Sequence, residues 1–130
     1  MVQALMVAIL GWIQCSSNPI GWWLIREPLM AGLWVGVIYG KPVEGLIIGA
    51  AINVAFLGWN STGGANPSDL YSAGLLGTAI AIQGNISTEQ AVVIAISLGV
   101  IGNYAWILFM SLISFIPSLQ DNCAEEGNIK

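Results

Sequence analysis

The sequence contains no histidine, and only three of its 130 residues are basic. Without histidine the chain cannot carry phosphohistidine, run an imidazole proton relay or hold a metal through imidazole. So few Lys and Arg also exclude a nucleic-acid surface, which needs clustered cations to neutralise phosphates. Cys15 and Cys123 stand far apart with no C-x-x-C spacing, so neither a redox motif nor a metal site is expected of them, and a structural disulfide is not expected either. No Ser stands near a base, and no paired acids lie at catalytic spacing, so no catalytic residue, cofactor or metal is expected. Charge is the deepest shortage. It makes up 8% of the chain, where a soluble domain carries about 25%, so a water-facing surface could not be covered.

What remains is 56% hydrophobic, with a mean hydropathy of +0.79. The fold class this implies is an all-α integral membrane protein of about four or five transmembrane or re-entrant helices, several of them discontinuous. Six Trp and three Tyr are distributed as interface anchors would be. The apolar runs place helices near 2–14, 20–40, 45–59, 70–83 and 88–116 within a membrane domain 1–118. A polar tail, 119–130, carries Asp121, Glu125 and Glu126 and so most of the net charge of −4. The first run lacks a basic leader and a cleavage site, and reads as a retained segment rather than a signal peptide.

Glycines recur every fourth residue at Gly32, Gly36 and Gly40, and again at Gly45 and Gly49, the spacing that lets helix backbones approach. Between the two sets, KPVEG reads as a short polar turn ending before Gly45. Arg26 and Glu27 precede Pro28, either as an interfacial bend or as a gating or substrate contact. The run Gln90 to Ile116 has no charge and would reach roughly 40 Å as one helix, so it must tilt, or bend near Gly99 and Gly102. Ser87, Thr88 and Glu89 supply its cap and first-turn acid.

The stretch Gly58 to Asp69, GWNSTGGANPSD, is the polar exception between two apolar runs. Irregular backbone at membrane depth survives only where protein buries it or water reaches it, and short, interrupted helices flanking such a loop mark transporter binding sites. Asp69 offers acceptors, Asn53 and Asn66 offer donors and acceptors, and Gly63 with Gly64 lets main chain approach a ligand. Gln3 is a weaker candidate. Each has a bland alternative: Asn53 could bond a neighbouring helix, Asp69 could cap the helix from Leu70, and Asn66 with Pro67 could form a turn.

Met1 to Leu10 with Gln3, the run EPLMAGLWVGVIYGKPVEGLIIGAAINVAFLGW, the motif GGANPSD followed by AGLLGTAIAI, and the tail LQDNCAEEGN together resemble the membrane IIC subunit of the mannose, fructose, sorbose and N-acetylgalactosamine family of bacterial sugar phosphotransferase systems. The resemblance covers essentially the whole chain. Members are about twice as long, so the chain is expected to correspond to the N-terminal half. Many also carry Glu at the position of Asn53, and an Arg-Pro pair where this chain has Glu27 and Pro28. The resemblance implies a multi-pass subunit of the bacterial inner membrane that binds and translocates a sugar. Its implied partners are the lipid bilayer, a IID membrane subunit and the cytoplasmic IIB and IIA phosphocarriers, and a homo-oligomer is expected. The competing expectation is a truncated, non-transporting membrane protein that assembles through its GxxxG faces.

Overall fold

The apolar runs fold as five α-helices: α1 (Val2–Ser16), α2 (Pro28–Ile38), α3 (Pro42–Ala55), α4 (Leu70–Gly84) and α5 (Thr88–Ile113). The structure, a computed structural model, describes residues 1–16, 27–58, 68–114 and 116–117, and none of these is in a strand. Arg26 therefore lies outside the described residues, while Glu27 is the extended N-cap residue of α2.

Two local readings are corrected. KPVEG is not a turn in front of α3, because Pro42 and Glu44 already lie in its first turn. Proline at the first helical position has no N–H to lose and brings a helical φ, and an acid there complements the helix dipole. Lys41 Nζ pairs with Glu44 Oε2 at 2.9 Å, a half-exposed contact worth at most about 1 kcal/mol. Gly40, in turn, does not continue the packing face of Gly32 and Gly36. It sits past the end of α2 at φ 72°, donating to Val37 O at 3.1 Å, while Lys41 N–H donates to Gly36 O at 2.7 Å. These two bonds form a Schellman motif, which needs a left-handed residue at that point.

The turn folds α3 back on α2 with main chain against main chain. A Cβ on Gly45 would stand 2.6 Å from Gly36 Cα, and one on Gly32 would stand 2.7 Å from Gly49 Cα. In lipid no hydrophobic force draws helices together, so such close dispersion contact is what associates them. α4 joins through further small residues, with Gly74 against Pro28 and Gly77 against Ala95 of α5. Buried side chains around these contacts are few and compact, among them Val35, Ile52, Ala73, Ala81 and Ala95.

α4 ends at Asn85, left-handed at φ 49°, and Ile86 N–H reaches Ala81 O at 3.2 Å. Ser87 then caps α5 by accepting from Gln90 N–H. Ser87→Ala is expected to destabilise the protein by about 0.5–1 kcal/mol, read as a small drop in thermal midpoint in detergent; an unchanged midpoint would remove the cap from the account. α5 has 26 residues, about 39 Å, and is the one described helix long and apolar enough to cross a bilayer by length and composition. Gly99 and Gly102 do not interrupt it. Its second half, from Tyr104 to Ile113, turns apolar side chains outward.

Candidate functional site

The start of α4 concentrates the polar groups that the apolar chain otherwise lacks. Asp69 is the N-cap residue, with extended backbone that turns its carboxylate back over the first turn. Oδ2 accepts from Ser72 N–H at 3.2 Å and from the Ser72 hydroxyl, while Oδ1 accepts from Tyr71 N–H at 3.4 Å. The capping role weighed for Asp69 is therefore present, and the carboxylate remains only partly buried.

α5 forms the wall of this corner. Asp69 N–H donates to Gly99 O at 2.8 Å, tying the main chain in front of α4 to the middle of α5. A Cβ on Gly99 would collide with Ser68 Oγ and stand 3.1 Å from Asp69 O. On Gly102 it would stand 2.5 Å from Ser72 Oγ and 3.2 Å from Asp69 Oδ2. Ser68 is 1% exposed, and its hydroxyl has no hydrogen-bond partner among the described residues. Asn103, one residue beyond Gly102, is 9% exposed and adds an amide to the same stretch of α5.

Of the other expected site residues, two lie on other helices and three outside the described residues. Asn53 lies in the last turn of α3, partly buried, and its side-chain amide has no hydrogen bond among the described residues. The interhelical bond weighed for it is thus not formed among the described residues. Gln3 is exposed on the first turn of α1. Gly63, Gly64 and Asn66 lie outside the described residues. Asn53 and Asp69 nevertheless stand on either side of that segment, on the last turn of one helix and at the cap of the next.

Ser68, Ser72, Gly99, Gly102 and Asn103 escape sequence reasoning as members of this corner. A Ser three residues after an Asp and an amide inside an otherwise apolar run were the available signals, but neither shows which helix faces which. A separate cleft of about 260 Å³ between α1 and α4 is lined mainly by Val7, Leu75, Leu76 and Ala79, with Tyr39 and Gln83 also at its wall. Neither Asp69 nor Asn53 lines it.

Comparison with known proteins agrees with the helical fold of the described residues. The family described as the PTS system sorbose-specific IIC component matches residues 1–130. The mannose-specific EIIC component of Escherichia coli K12 is 27% identical over 128 residues, which are 98% of this chain and 48% of that protein. The N-acetylgalactosamine permease IIC component 1 of the same organism is 28% identical over 113 residues, covering 84% of this chain and 42% of that one. The cryo-EM structure of the mannose transporter ManYZ with microcin E492 superposes with a TM-score of 0.82 and 26% identity, covering 98% of this chain and 52% of the matched chain. This chain spans about half the length of the curated relatives it matches. Matched from end to end, and folded as its solved relative is, it belongs to the sorbose-specific IIC component family of the phosphotransferase systems.

Proposed function

We propose that the chain is the sugar-binding, N-terminal half of a IIC permease subunit, multi-pass in the bacterial inner membrane, that takes up a hexose or amino sugar of the mannose, sorbose or N-acetylgalactosamine class. The observation that carries this reading is Asp69: a partly buried residue at the end of the polar loop, its carboxylate held by α4 and its main-chain N–H by α5, with acceptor capacity left on Oδ1. Sugars present many hydroxyls and little charge. A carboxylate accepting from one hydroxyl, with Asn53 both donating and accepting at another, answers that demand, while Gly63, Gly64, Asn66 and Gln3 complete the expected contact set. In this reading the chain carries no phosphate. It works beside a IID subunit, and the sugar leaves it towards IIB, which phosphorylates it after being charged by IIA. A homo-oligomeric arrangement of this subunit belongs to the same proposal.

The alternative, a non-transporting protein that assembles through its GxxxG faces, loses its main surface. Gly32, Gly36, Gly45 and Gly49 are buried against one another within the chain. Equilibrium binding of mannose, sorbose, fructose and N-acetylgalactosamine to the chain purified with its IID partner tests the proposal. One of the four sugars is expected to bind saturably, and Asn53→Leu to weaken it by about tenfold or more, the cost of leaving a sugar hydroxyl without its partner. Absence of saturable binding of all four would refute the reading.

A further inference from the structure

The two oxygens of Asp69 are used unequally, and the inequality exceeds what a helix cap requires. A cap needs the carboxylate to accept from main-chain N–H groups, and Ser72 N–H and Tyr71 N–H supply these. The Ser72 hydroxyl adds another bond to Oδ2, the oxygen already held by Ser72 N–H, and leaves Oδ1 with a single 3.4 Å contact. A carboxylate with about four acceptor positions is thereby turned so that one oxygen is saturated and the other open. Gly102 makes room for this. A Cβ there would meet Ser72 Cβ at 2.7 Å and Ser72 Oγ at 2.5 Å, displacing the hydroxyl from the carboxylate or the helices from each other.

We propose that Ser72 and Gly102 are positioning residues, which lock Oδ2 of Asp69 against α5 so that Oδ1 is the oxygen offered to one particular sugar hydroxyl. This rests on the sugar-site reading of Asp69 given above. Ser72 touches no substrate itself. Its contribution is to fix the direction of the acceptor, and the sugar's hydroxyl pattern is then read against a stationary oxygen rather than a rotating one.

The test uses the chain with its IID partner, the four sugars named above, and the monodeoxy analogues of whichever sugar the wild type binds. Ser72→Ala is expected to weaken that sugar by about tenfold. In Ser72→Ala one deoxy analogue should also lose most of its penalty relative to the parent sugar, while the other analogues keep theirs. Gly102→Ala should reproduce the pattern; if it fails to accumulate, Ser72→Ala decides alone. A uniform loss across parent and analogues would mean that Ser72 supports only the fold, and would overturn the proposal. Wild-type affinity in Ser72→Ala, together with lost binding in Asp69→Asn, would overturn it while leaving Asp69 in the site. Wild-type binding by Asp69→Asn would overturn both.

Discussion

Sugar uptake is expected to cease in cells whose transporter carries Asp69→Asn, while the amount of protein in the membrane stays near wild type. The two halves of this expectation come from different properties of one side chain. Asparagine caps helices about as well as aspartate, so the start of α4 retains most of its stability. What the substitution removes is charge-assisted acceptance, worth about 1.5–3 kcal/mol for a hydrogen bond to a charged group, or roughly ten- to hundredfold in affinity. It also places an NH2 donor where an oxygen stood. If that donor takes the Oδ2 position, it faces the N–H and hydroxyl of Ser72, both donors; if it takes the Oδ1 position, the acceptor proposed for the sugar is gone. The orientation with oxygen at the Oδ2 position keeps the cap bond from Ser72 N–H and gives up only the longer contact from Tyr71, so it is the one expected, and it is the one that costs the site its acceptor. Uptake of labelled sugar set against immunoblotted membrane protein separates the effects, and uptake at wild-type level would remove Asp69 from the site.

The largest expected effect on folding comes from Gly45→Leu. Its Cβ would lie 2.6 Å from Gly36 Cα and 2.9 Å from Gly36 N, and those are main-chain atoms that no rotamer change can move aside. The α2–α3 pair would have to separate, forfeiting close contact along its whole length, and α2 has only 11 residues with which to find other support. Destabilisation of at least about 3 kcal/mol is expected, seen as loss of monodisperse protein after detergent extraction. Gly40→Ala is the control. Nothing lies within 4 Å of a Cβ there, so only the left-handed backbone opposes it, at about 1 kcal/mol. Equal behaviour of the two variants would contradict the packing described for the hairpin.

Much of this arrangement is legible in the amino-acid sequence. Apolar runs broken by Gly, Pro and Asn announce helices too short to span singly, and Asp before Leu70 announces a cap and a candidate ligand at once. The errors have local causes. In KPVEG the proline and the charges suggested a turn, although Pro followed by an acid two residues later is equally the opening of a helix. Gly40 kept the four-residue spacing of Gly32 and Gly36, yet it terminates the helix, since periodicity alone does not distinguish the last packing glycine from the first residue beyond. Gly99 and Gly102 suggested a place where a long apolar helix could bend. Their role became visible only once α4 was seen lying against them, because the partner of a small residue is a property of tertiary structure. Asn53 and Asp69 were recognisable as awkward in lipid, but Ser72 was not, since a serine in a helix is unremarkable until its hydroxyl is seen on a carboxylate.

The glycine-to-glycine contact between α2 and α3 also bears on motion. With main chain resting on main chain at Gly32, Gly36, Gly45 and Gly49, no side chain stands between the helices at these points to rearrange and absorb sliding. The pair should therefore travel as a single rigid lever, carrying Pro28 and with it the neighbouring Gly74 of α4. Any hinge that accompanies passage of a solute has to lie outside this lever, and the seam where Asp69 meets Gly99 is the place where its swing would be felt.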